Sequence, residues 1–247
     1  MATPAAAQSD AAGSVYRIHW AADLTTIGVA GAAWLVPELF LDELVTRKCP
    51  CERVDVPAID RVALGRSSSM SGTASQVAIL TMLAIPPLVD VLDVRRAGGS
   101  WAHVGEDLLV MTEALAVNGG LNELVKVAVQ RPRPFTYHGQ ELDKSDSYLS
   151  FYSAHTSNAF AVGMAYASTF SLRHPDSPYR YLVYGLVVAG GSTTGVFRVL
   201  AGKHFPTDVI TGAVVGTAVG LTVPYLHRRQ EVTVGLSPRG VSVLGTF

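Results

Sequence analysis

Six apolar segments divide this chain, at roughly Leu24–Val45, Thr73–Val94, Val104–Val129, Ser157–Leu172, Tyr181–Val196 and Asp208–Leu226. Between them stand helix breakers: Pro50 and Pro57, Gly98-Gly99, Pro132 and Pro134, Pro175 and Pro178, then Pro206. The second, fourth and sixth segments are largely free of charge and approach the roughly 20 residues that a membrane-crossing helix needs. The first is charge-free only from Leu24 to Pro37, and the fifth, bounded by Arg180 and Arg198, just spans. The third carries Glu106, Asp107, Glu113, Asn118 and Glu123, so one side of it must face protein or water. Period-2 alternation occurs only near the end, in Val232, Val234 and Leu236, then Val241 and Val243 across Ser-Pro-Arg-Gly. The pattern predicts an all-α fold, a transmembrane six-helix bundle over residues 16–229. A disordered leader over 1–15 precedes it, and a short β-hairpin-like tail over 230–247 follows.

Composition agrees with a membrane setting. Hydrophobic residues make up 49% and charged residues 16% of the 247, against about 25% charged in soluble domains. The net charge is -1, with lysines and arginines scattered along the chain, which argues against a nucleic-acid partner. They also divide evenly between the two ends of the expected bundle, so the positive-inside rule leaves its orientation open. The two cysteines, Cys49 and Cys51, flank Pro50 and read either as loop thiols or as a strained bridge. No further Cys or His pair has zinc-site spacing. The first 14 residues show no charged n-region and no apolar h-region. Ala5-Ala-Ala7-Gln8 nevertheless resembles the small-residue site of a longer precursor.

Three short pieces carry chemistry. Lys126 and Arg133-Pro134 offer an ammonium and a planar guanidinium, a pairing suited to phosphate oxygens. Ser153-Ala154-His155 places a hydroxyl and backbone N–H groups at the start of an apolar segment, where a helix N-terminus favours an anion. Arg198, His204 and Asp208 complete the set. The last two are four residues apart, so a carboxylate can orient an imidazole across one helical turn. Taken singly, each piece has a plainer reading, as a basic helix end, a Ser cap or a paired His and Asp. The order and spacing of the three together point to phosphoryl transfer. The remaining histidines, His19, His103, His138, His174 and His227, match no motif and read as structural or exposed.

Together the pieces resemble the signature of the type 2 phosphatidic acid phosphatase superfamily, which also holds bacterial class A acid phosphatases and vanadium haloperoxidases. That signature reads Lys-x6-Arg-Pro, Pro-Ser-Gly-His and Ser-Arg-x5-His-x3-Asp. The first element matches fully. The second has Tyr152 for Pro and Ala154 for Gly, and the third has Phe197 for Ser. The resemblance spans roughly Glu106 to Leu226 and implies that His204 is the nucleophile, forming a phosphohistidine. Asp208 would orient it, and His155 would protonate the leaving oxygen and then activate water. Lys126, Arg133, Ser153, Ala154 and Arg198 would bind the phosphoryl group.

The implied activity is metal-independent hydrolysis of a lipid phosphate monoester or diphosphate, with no cofactor. The site would lie in an integral membrane protein and face the periplasm. A soluble periplasmic acid phosphatase is the alternative, favoured by the acidic third segment. A vanadate-dependent haloperoxidase and a non-catalytic membrane protein are more remote. Tyr152 is expected to crowd the pocket mouth, and Ala154 to bind phosphate only if its φ is negative.

Overall fold

The computed structural model describes residues 13–48, 51–229, 232–237 and 240–245, so most of the expected leader and Cys49 lie outside the described residues. Helices α1 (Trp20–Glu38), α2 (Leu41–Leu44), α3 (Ser69–Arg96), α4 (Trp101–Val129), α5 (Ala154–Arg173), α6 (Tyr179–Leu200) and α7 (Pro206–His227) follow one another. Strands β1 (Val232–Ser237) and β2 (Gly240–Gly245) then pair antiparallel, with Val232 opposite Gly245. Local chemistry sets the helix ends. The hydroxyls of Ser68, Ser100 and Ser153 accept N–H groups from the first turns of α3, α4 and α5. Gln130, in the left-handed region at φ 47°, closes α4 before the Pro132 and Pro134 breakers. Pro206 opens α7 at a position where a missing N–H costs nothing.

Helix α5 is the centre of the bundle and contacts α3, α4, α6 and α7. Its tightest neighbour is α7. There Gly212, Gly216 and Gly220 form a ridge at four-residue spacing, and the backbone of α5 lies directly against it. A Cβ built on Gly216 would stand 2.2 Å from the Ser157 carbonyl oxygen, and one on Gly220 would stand 2.4 Å from that of Ala161. Only glycine allows this approach, the small-residue packing of membrane helices.

Helices α3, α6 and α7, and the stretch that α4 opens, are long and apolar enough to cross a membrane. They turn Leu80, Leu88, Leu186, Val196 and Val214 outward. α5, the fourth apolar segment of the sequence, is not among them. Because α5 faces protein on every side, it can carry Thr156, Ser157, Asn158 and Thr169 buried against neighbouring helices. At the end of the bundle remote from Lys126, Arg173 of α5 is held by Asp90, Asp93 and Asp107, which ties α3 and α4 to the central helix.

Replacing Gly216 with Val should lower the stability of the detergent-solubilised protein by about 1–3 kcal/mol, the usual scale of overpacking. Gly28, where an added Cβ meets nothing within 4 Å, should instead gain about 0.5–1 kcal/mol as Ala. Thermal unfolding of both variants checks the pair.

Candidate active site

The site is assembled from helix ends at one end of the bundle. Lys126 lies in the last turn of α4, Ser153 caps α5, Arg198 lies in the last turn of α6, and His204 precedes α7. The turn between Arg198 and His204 depends on Gly202, at φ 67°, where a Cβ would fall 2.0 Å from the Arg66 carbonyl oxygen. The pieces are stitched together by the Ser153 N–H, which donates to the Asp208 carbonyl at 3.1 Å. That bond joins the cap of α5 to the first turn of α7.

His204 is 2% exposed. Its Nδ1–H donates to the Ser150 carbonyl oxygen at 2.8 Å, which fixes the tautomer and leaves the Nε2 lone pair free. The direct acceptor is therefore a backbone carbonyl and not Asp208, whose Oδ2 stands 3.7 Å from Nδ1. Asp208 has other partners: the Ser150 hydroxyl at 2.6 Å, the Phe205 N–H at 2.9 Å and Arg131 Nη1 at 2.5 Å. It holds the Ser150 loop, and that loop orients the imidazole. Burial, and then the positive charges of Arg198 and Arg133, push the His204 pKa well below its ordinary value. The imidazole stays neutral, the form a nucleophile needs.

The cations are buried and only partly satisfied. Arg198 is 7% exposed, and its Nε has no hydrogen-bond partner among the described residues. Such a buried orphan donor is costly unless a ligand oxygen accepts from it. Arg133 donates through Nε to the Asp146 carbonyl and through Nη2 to the Asp146 carboxylate, at 2.9 and 2.6 Å. Lys126 pairs with buried Glu123 at 3.2 Å. His155 is half-buried, and a proton on its Nε2 has Gln76 Oε1 as acceptor at 3.1 Å. Beside Arg198 and Gln76 opens a cavity of about 460 Å³, lined also by Ser68, Thr73, Gln140 and Lys203.

One sequence expectation changes and one condition is met. Tyr152 does not crowd the mouth: it is 2% exposed, packs edge-on against Phe151, and its carbonyl accepts from Asn122 at 2.8 Å. Ala154 opens α5 with a negative, helical φ, so its Cβ is tolerated. Phe197, half-buried, supplies no hydroxyl where the signature has Ser.

Sequence reasoning missed the supporting residues. Arg131 bridges Asp208 and buried Asp60 (2.7 Å) and lies 4.1 Å over the Phe205 ring. Asp60 in turn accepts from the N–H and hydroxyl of Thr207. Arg131 sits inside the Lys-x6-Arg piece and was open to notice there. Asp60, Gln76 and Asp146 carry no sequence signal, because only the fold brings them near.

A model of the PAP2 superfamily matches residues 107–231. A lipid A 1-phosphatase of Porphyromonas gingivalis is 31% identical over 136 residues, covering 54% of this chain and 27% of that protein. The undecaprenyl-diphosphatase BcrC of Bacillus subtilis is 30% identical over 101 residues, 40% of this chain and 47% of that one. The chain thus spans about half or less of these curated relatives. A transmembrane PAP2-type phosphatidylglycerolphosphate phosphatase of B. subtilis, known from its crystal structure, aligns over 83% of this chain and 94% of its own at 20% identity, with a TM-score of 0.42. The family match covers half of the chain, and the chain belongs to the PAP2 superfamily. It is an integral membrane protein, by the length and composition of its apolar helices.

In the ligand-free protein the His204 imidazole should remain the neutral Nδ1–H tautomer at pH values below about 6.5, where a free histidine protonates. Nitrogen-15 NMR of labelled histidine checks this. An unfolded chain takes up the proton that the native site refuses, so His204 lowers stability as pH falls below about 6.5. His204→Gln should flatten the acid limb of an unfolding-against-pH curve.

Proposed function

We propose that this chain is a membrane phosphatase that cleaves a lipid phosphate monoester or diphosphate through a phosphohistidine on His204. The observation that carries the reading is a neutral, buried imidazole with a fixed tautomer, in the field of the Arg198 guanidinium, whose Nε lacks an acceptor among the described residues. His204 Nε2 attacks phosphorus while the bond to the leaving oxygen breaks, and His155 gives that oxygen a proton. His155 then removes a proton from water, which attacks the phosphohistidine and releases inorganic phosphate and free His204. Arg198, Arg133 and Lys126, with the N–H groups at the start of α5 beside Ser153 and Ala154, stabilise the phosphoryl oxygens as charge develops. Asp208 acts as a positioning residue through Ser150. This crowd of positive charge favours an oxyanion and disfavours a metal cation, so the reaction proceeds without a metal.

A lipid substrate follows from the apolar helices that surround the site. The site end faces the periplasm in this reading.

Purified protein in detergent should release phosphate from lipid phosphates faster than from a soluble monoester, and EDTA should not suppress it. His204→Ala should abolish release, and His155→Ala should slow kcat by about 10²–10⁴. Arg131→Gln, which loosens Asp208 without touching substrate, should slow kcat by about 10²-fold with KM little changed. Faster turnover of the soluble ester would favour the acid-phosphatase alternative, and full activity in His204→Ala would sink the mechanism.

A further inference from the structure

Far from the phosphate site, three ionisable side chains from three helices meet: Asp23 in the first turn of α1, Glu113 midway along α4, and His227, the last residue of α7. Their side chains are 8%, 8% and 9% exposed. His227 Nδ1–H donates to the Val223 carbonyl at 2.8 Å, so its Nε2 turns inward. There Nε2 lies 3.3 Å from Asp23 Oδ1 and 3.3 Å from Glu113 Oε2. Asp23 Oδ2 accepts from the His19 N–H at 2.8 Å, but Glu113 Oε2 has no hydrogen-bond partner among the described residues. No lysine or arginine pairs with either carboxylate among those residues.

Three features of this cluster suit a metal better than a hydrogen-bonded network. A histidine that gives one ring N–H to a backbone carbonyl is held as ligating histidines are, with the other nitrogen turned to the ligand side. Two ligands on a tetrahedral Zn²⁺ with bonds of about 2.0–2.1 Å stand about 3.3–3.4 Å apart. The two observed separations fall on that edge and are longer than the usual N–H···O distance of about 2.9–3.0 Å. Charge gives the third feature. Two buried carboxylates carry two negative charges, of which a proton on the ring cancels one and a dication both.

We propose that Asp23, Glu113 and His227 form a binding site for a first-row divalent cation, Zn²⁺ by its ligand set, with water completing the coordination. The three ligand atoms already lie within 4.8 Å of one another, so small side-chain movements close the sphere. The site is separate from the chemistry: Glu113 and Lys126 are thirteen residues apart on α4, about 20 Å at ~1.5 Å rise per residue. Bound metal would fasten the start of α1 and the end of α7 to α4. The backbone already joins two of these, because the Arg17 N–H donates to the His227 carbonyl at 2.7 Å.

The test is metal binding by the full chain in detergent, stripped with chelator and then titrated with Zn²⁺ or Co²⁺. One equivalent of metal should be retained after desalting, Co²⁺ should give the intense visible absorption of a four-coordinate ion, and Zn²⁺ should raise Tm. Glu113→Gln and His227→Gln should weaken binding at least tenfold while the phosphatase assay, run well below Tm, is unchanged. Because those variants also remove an ion pair, His227→Cys decides between metal and proton. A thiolate ligand restores metal binding, with a sulfur-to-Co²⁺ charge-transfer band, but cannot replace an imidazolium. No retained metal in the parent, retention unaffected by Glu113→Gln and His227→Gln, or failure of His227→Cys to bind would each overturn the proposal.

Discussion

The close approach of α7 to α5 is the constraint on which the rest depends. Because Gly212, Gly216 and Gly220 let α7 lie against the α5 backbone, the cap of one helix and the first turn of the other come within hydrogen-bond reach. That contact sets Ser153 and Ala154 beside His204 and Asp208. A bulkier ridge would push the two helix starts apart, and the Ser153-Ala154 turn would lose its register against the imidazole. The geometry of the site is thus settled partly within the membrane-buried body of the bundle, away from any residue that touches substrate.

Around that contact the polar groups are layered. His204 is held by a carbonyl, the loop bearing that carbonyl is held by Asp208, and Asp208 is held by Arg131 and Asp60. Each layer fixes the one inside it, as preorganised electrostatic catalysis requires. The cost is a group of charges in a low-dielectric setting. Most are paired, while Arg198 Nε and Glu123 Oε1 are left without partners among the described residues. Those unmet atoms mark where the protein has accepted instability in return for binding.

Much of this was legible in the chain. The breakers placed the helix boundaries to within a few residues, and the spacing of Lys126, Arg133, Ser153, His155, Arg198, His204 and Asp208 named groups that the fold gathers at one end. Composition alone did not place α5 at the centre, because low charge signals lipid exposure and central burial alike; only packing separates them. The route by which Asp208 reaches the imidazole was not legible either. Spacing of four residues places two side chains on one side of a turn, but it does not reveal that a loop carbonyl from Ser150 would enter between them. Asp60 and Gln76 were invisible for the same reason, since their partners lie far away in sequence. His227, set aside for want of a motif, drew its partners from α1 and α4, which no local pattern links.

The cavity beside Arg198 has polar walls, whereas the neighbouring helices turn leucine and valine outward. For an amphiphilic ester bound there, cleavage would sort the two products into different phases. Inorganic phosphate would disperse into water, and the apolar alcohol would remain dissolved in the bilayer. Re-encounter of both at one site then becomes rare. The boundary between a wet pocket and an oily flank would make such a hydrolysis directional by partition, with no further device in the protein.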